Sequence, residues 1–310
     1  MKKAHALSML VVLGFTLSAM AQDATVPGDF ATIQAAVNGA TDGGDGTITI
    51  EVAAGTYNED VLVLRDGVEL IGAGAGSTTI MGTGTLDVVE AERVNGFKIS
   101  GFTVTGGGAQ DGIKIGRSSN ATIESCTVTG NDDGISVSRS TNCMILSNDV
   151  SGNASGIKIR AGSNNQISMN TANNNSDHGI VLARTNNNVV MNNTTNGNAG
   201  VGFGAVRSDD NVFTGNTADG NTDSGIRLRR SDRTTLTGNT STNNLDNGFR
   251  FRETNGSMID GNTFSNNMSE GIRMRESVND DFDMSQGGVQ PPVGTNTVEG
   301  NLGGQVRNDD

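Results

Sequence analysis

The chain has 310 residues and a formal net charge of −13, with 34 acids against 21 lysines and arginines. That sign excludes general nucleic-acid binding, which takes a basic surface. Abundant Gly, Asn, Thr and Ser with few aromatics would suit a disordered chain, unless a period orders them.

The first element is an export signal over 1–21. Lys2 and Lys3 precede an apolar run from Ala6 to Leu17 that is too short to span a bilayer, and Ala19-Met20-Ala21 supplies a small-x-small cleavage pattern. The mature chain is expected to begin at Gln22. Loss of the leader removes two lysines and no acid, taking the net charge from −13 to −15. No later stretch is apolar for long enough to cross a membrane, so a secreted or periplasmic monomer is expected.

The next stretch, FATIQAAVNGA, places Phe30, Ile33 and Val37 at helical spacing. A short helix here would cap the open end of a core. TITIEVAAGTYNEDVLVL and VNGFKISGFTVTG then read as strand, turn and strand.

From Gly112 a strict period takes over. A Gly before an apolar-x-apolar triplet recurs at Gly112, Gly134, Gly156, Gly179, Gly202, Gly225, Gly248 and Gly271, at intervals of 22 or 23. The first and third residues after each Gly are apolar, from Ile113 and Ile115 to Ile272 and Met274. Such alternation marks a strand with one face inward. A second inward stripe runs from Ile123 to Ile259 and a third from Val128 to Phe264.

Three short strands per coil of 22–23 residues make an all-β, right-handed parallel β-helix over 22–300, in which stacking buries what one coil cannot. Asparagines fall at equivalent corners, Asn148 to Asn262 and Asn131 to Asn267, where left-handed backbone and stacked amides are expected. The stretch 301–310 reads as a polar tail after a loose last coil. Cys126 and Cys143 fall in different coils and five strand residues out of register, so no disulfide is expected.

With its GIxI and GNT repeats and its DFATIQAAV…AAGTYNEDVLV opening, the chain resembles the pectin-lyase-like superfamily of right-handed β-helices over about residues 25–300. The resemblance implies polysaccharide lyases, hydrolases, esterases and epimerases, together with members that only bind or bridge. The downstream Gln and Asp motifs of the esterases are absent. NDDGI, SDHGI and GIKIR look like polygalacturonase fragments, but each also falls on the repeat template.

Function must come from a site. The second and fourth residues after each Gly face outward. In the last three complete coils all are arginine: Arg227 and Arg229, Arg250 and Arg252, Arg273 and Arg275, with Lys114 continuing the stripe. Two readings stay open: a docking strip for an acidic glycan, or a salt-bridge ladder with Asp223, Asp246, Glu270, Glu253 and Glu276.

Asp111, Asp132 and Asp133 crowd on adjacent coils and could hold a hard cation, with calcium as the cofactor they suit. The resemblance implies a lyase-like site at Asp132, Asp133, Lys158 and Arg160. His178 beside Asp177 is a candidate general base. One His and two separated Cys argue against a transition-metal site.

The function expected is recognition, and perhaps processing, of an extracellular acidic polysaccharide. If catalytic, β-elimination or uronate epimerisation fits best. The rival is a non-catalytic structural or adhesive cell-surface β-helix, for which the uniform coils speak.

Overall fold

The computed structural model describes residues 23–277, 281–282, 296–303 and 306–309; the expected export signal and most of the expected loose last coil lie outside them. The strands wind into a right-handed parallel β-helix with a single short helix, Ile33–Gly39. Every strand pairs in parallel with its copy one coil away. The strands after the repeated glycines form an eleven-stranded sheet, here called the glycine face, and the second stripe forms a twelve-stranded sheet.

The third face differs from a continuous sheet. It forms two four-stranded pieces, joined only by isolated bridges from Thr127 through Asp149, Thr171 and Thr194 to Thr217. The stretch expected as a polar tail also differs, since Val306–Asp309 pairs with Ile272–Arg275 as the last strand of the glycine face.

All three inward stripes are buried, except that Met274 at the C-terminal end is only half-buried. Isoleucine, valine and leucine fill much of the core, with Phe97 and Phe102 buried in the early coils and more phenylalanine in the later ones, where Phe249 packs edge-on against Phe251 and Phe264. The repeated glycines are required by close approach. A Cβ on Gly156 would sit 2.6 Å from the carbonyl oxygen of Gly179 and 2.7 Å from Cβ of Ala172. The same collision with the next coil recurs at Gly179 and Gly202.

Asparagine ladders line the bore. Asn193 shows the pattern: its Oδ1 accepts from Asn170 N–H (2.9 Å) and its Nδ2 donates to Ile167 O (2.8 Å) and to Asn216 Oδ1 (3.1 Å). Backbone groups at each corner are thereby paired away from water. One expectation is corrected here. The ladder asparagines are not left-handed; the residue before each one is, as at Ser147, Met169 and Asn192. The left-handed residue turns the chain, and the amide that follows faces inward.

A further ladder, Asn165–Asn188–Asn211, continues from Cys143. Cys126 heads the ladder of Asn148 in the same way. Both cysteines are buried and free, and burial pushes their thiols up to about 11.

The N-terminal helix closes one end of the core. Thr32 caps it by accepting from Ala35 N–H, and Ile33 and Val37 are buried while Phe30 packs against the core. The Glu59 carboxylate accepts from the N–H groups of Ile33 (2.9 Å) and Gln34 (2.8 Å), where the helix dipole favours an anion.

Candidate functional site

The outward surface of the glycine face changes character along the helix. At its N-terminal end it is acidic. Asp111, Asp132 and Asp133 hold carboxylate oxygens within 4.8 Å of one another, so the three could bind a metal ion. Burial, then the charges of Asp133 and Asp87, push the Asp111 carboxyl up to about 6. Oxygen donors of this kind suit a hard cation.

Asp133 is buried and Lys158 Nζ lies 2.5 Å from its Oδ1, so the expected acid–lysine pair exists. Lys114, expected on the substrate stripe, is instead held by Asp87 (2.7 Å) and Glu90 (3.0 Å). Arg160 is exposed and lines a separate groove at the C-terminal end of its strand, two residues beyond Lys158.

At the C-terminal end the arginine grid is present and in register, Arg227 beside Arg250 and Arg250 beside Arg273. It is largely neutralised by neighbours. Arg227 pairs with Asp223 (2.6 Å), Arg250 with Asp246 (3.3 Å), Arg273 with Asp309 (2.9 Å) and Arg275 with Glu276 (3.3 Å). Arg252 Nε lies 3.1 Å from Glu253 but is too poorly aimed for a hydrogen bond. Glu270 turns to Arg307, 3.5 Å away, rather than to the grid. Arg229, exposed, has no carboxylate within ion-pair distance among the described residues.

Between these ends lies an open floor. Val181, Ala183 and Val206 are half-buried there, and Gly204, in register with Val181, is buried beneath Val181 and Val201. Lys158 and Arg160 adjoin this floor from the preceding coil, and Arg227 and Arg229 from the following one. Along one edge stands His178, half-buried. Its Nδ1 accepts from Val201 N–H at 3.1 Å, which leaves the proton of the neutral ring on Nε2. The Asp177 carboxylate also lies 3.1 Å from Nδ1, an approach that favours imidazolium. Burial outweighs it, and with Arg227 and Lys158 nearby holds the imidazole pKa below its ordinary value.

Gly200 makes that position available, since a Cβ there would lie 2.0 Å from His178 Nδ1. Sequence reading missed Gly200, whose one signal is a Gly lying outside the repeated glycine slot. Asp133 and His178 fall two coils apart, about 10 Å along the axis, with Lys158 on the coil between Asp133 and the floor. No helix among the described residues is long and apolar enough to cross a membrane.

Residues 87–222 match the family described as "Right handed beta helix region", and residues 202–286 match "Periplasmic copper-binding protein (NosD)". No curated protein matches the chain. Among solved structures, the A-modules of the Azotobacter vinelandii mannuronan C-5 epimerases AlgE6 and AlgE4 are similar at 19% and 18% identity. The first has a TM-score of 0.67 and covers 84% of this chain and 91% of that one. The second has a TM-score of 0.66 and covers 92% and 97%.

Tailspike protein 2 of Escherichia coli O157:H7 bacteriophage CAB120 has a TM-score of 0.68 at 12% identity, over 88% of this chain and 48% of its own. At such identities the likeness is one of fold, and the fold is that of the pectin-lyase-like β-helices. The NosD-matching span holds no His and no Cys, so the soft donors it could offer copper are methionine thioethers such as Met258 and Met268.

Proposed function

Taking a pectin-lyase-like β-helix as the premise, we propose that this chain is exported and binds an acidic polysaccharide along its glycine face. The observation that carries the reading is the uncharged floor of Val181, Ala183 and Val206, with cationic residues on the coils to either side. A pyranose chain can lay its apolar ring faces on such a floor while its charged groups reach the guanidinium and ammonium groups. The structural neighbours, mannuronan epimerases and a phage tailspike, support a glycan partner. The periplasmic description of the NosD family supports export.

Processing at the same face is favoured by one feature, a neutral imidazole at the edge of the floor beside cationic groups. In a uronate the proton on the carbon bearing the carboxylate is removed first in both β-elimination and epimerisation. His178 would accept it, and Lys158 or Arg227 would stabilise the charge developing on the carboxylate. The acids Asp111, Asp132 and Asp133 would hold calcium two or three coils away, where it could neutralise a further sugar carboxylate.

The test is incubation of the mature protein, with and without calcium, with uronate-containing, sulfated and neutral polysaccharides. Unsaturated chain ends by mass spectrometry establish elimination, and altered uronate configuration by NMR establishes epimerisation. Retention of an acidic glycan without chemical change supports binding alone. Folded protein that neither retains nor alters any glycan removes this reading in favour of a structural or adhesive role.

A further inference from the structure

The backbone leaves the glycine face through a left-handed corner in coil after coil. Six of these corner residues are arginines: Arg93, Arg117, Arg139, Arg184, Arg207 and Arg230, with φ between 48° and 56°. The corner between Arg139 and Arg184 is taken by Ala161, with Arg160 immediately before it. A Cβ is strained in this region, and arginine lacks the short local hydrogen bonds that let Asn or Asp adopt it. Backbone preference therefore does not account for a row of arginines here.

The ends of the row are neutralised. Glu92 lies 2.5 Å from Arg117 and 3.8 Å from Arg93, and Glu253 pairs with Arg230. The middle is not. Arg139, Arg160, Arg184 and Arg207 are exposed. Among the described residues, none of these four has a carboxylate within ion-pair distance or a side-chain hydrogen bond.

These four arginines surround a groove of about 510 Å³ completed by Ser138, Ala161, Ala183 and Val206. Its lining contains no acid, on a chain of net charge −13. The small residues leave the guanidinium groups as its tallest walls. Elsewhere a left-handed, exposed arginine such as Arg233 (φ 50°) is clamped by Asp210 at 2.7 Å.

We propose that this groove is an oxyanion site that takes successive carboxylate or sulfate groups of a linear polyanion lying along the helix axis. It rests on the glycan reading above for the identity of that polyanion, an acidic polysaccharide. Coils rise by about 4.8 Å, a step comparable to one pyranose, so Arg139, Arg160, Arg184 and Arg207 offer one guanidinium per coil over four coils. Each planar fork matches a carboxylate or sulfate through two parallel hydrogen bonds. The groove lies beside the open floor, with Ala183 and Val206 common to both. A chain whose rings rest on the floor thus directs its charged substituents at the arginine row.

The experiment uses the full mature chain and measures calorimetric binding and thermal stabilisation at fixed ionic strength. The probes are a polyuronate oligosaccharide, a sulfated oligosaccharide, a neutral oligosaccharide and inorganic tripolyphosphate. The variant is Arg184→Asn/Arg207→Asn, because Asn tolerates the left-handed corner and the backbone is kept. Arg233→Asn is the control, with the same backbone and exposure but an acid-paired side chain.

The expected result is at least a tenfold loss of anionic oligosaccharide affinity in the double variant, and wild-type affinity in the control. The stabilisation by ligand should fall in parallel. A preference between the uronate and sulfated probes identifies the oxyanion. Equal affinity of the double variant and wild type overturns the groove but leaves the glycan reading in place, whereas binding of the neutral oligosaccharide alone overturns both the groove and the acidic character of the glycan. Tripolyphosphate binding that the double variant loses, with no glycan bound, keeps the oxyanion groove and removes the glycan reading. Folded wild type that binds none of the probes overturns both.

Discussion

His178 lies where burial and two cations oppose its protonation, while Asp177 favours it. Because its pKa is lowered by folding, the unfolded chain takes up the proton first as pH falls. The stabilisation this group contributes is full above about 6.5 and is lost as pH drops through the lower folded value. Chemical denaturation at pH 7.5 and pH 5 should show that loss, and His178→Gln should flatten the difference. The only other histidine is His5, in the expected leader, so one imidazole resonance of the mature chain reports the titration directly. The sequence singled out His178 by its rarity. It could not show that Val201 N–H holds Nδ1 or that Gly200 makes room for the ring, since both partners come from the next coil.

At the scale of elements, the asparagine ladders convert each corner's unpaired backbone groups into a continuous hydrogen-bonded column. Asn193→Ala would leave Ile167 O and Asn170 N–H buried without a partner. A loss of about 2 to 4 kcal/mol in unfolding free energy is expected, read by urea denaturation. Asn193→Asp should cost at least as much, because a carboxylate cannot donate to Ile167 O. Two ladders were legible in the sequence as asparagines repeating at 22 or 23 residues. The third, Asn165–Asn188–Asn211, was hidden because it spans only three coils, with Cys143 before it and Thr234 after it in the same slot. The arginine corners were hidden for another reason. Their periodic position is plain in the text, but what distinguishes them is the lack of a nearby acid, and that is decided by neighbours on other coils.

Across the whole molecule, the coils add up to one core with two ends, and the ends are where a solenoid can fail. The helix Ile33–Gly39 closes one of them through Ile33 and Val37, both buried. Ile33→Ser/Val37→Ser is expected to lower stability by about 3 to 5 kcal/mol. It should also promote self-association through the opened end, visible as a rise in sedimentation coefficient with concentration. An unchanged stability would show that the helix merely rests on the surface. Between Gly112 and Gly271 the regular coils leave no long loops to build a deep cleft, so ligand recognition there would use the shallow glycine face and its bordering corners.

Period, inward stripes and capping helix were determined by the sequence alone, because each is a pattern of residue types repeated along one chain and burial follows from it. The pairing of charges was decided by the tertiary structure. Arg227 and Arg250 find acids four residues away, but Lys158 finds Asp133 and Arg230 finds Glu253 across a coil, 25 and 23 residues off. Whether an arginine is spent on an internal pair or left open to a ligand depends on which side chains stacking brings within a few ångströms. Equal spacing in the sequence gives Arg184, Arg207 and Arg230 the same place in the repeat, and only the position of Glu253 on the adjoining coil sets the last apart from the first two.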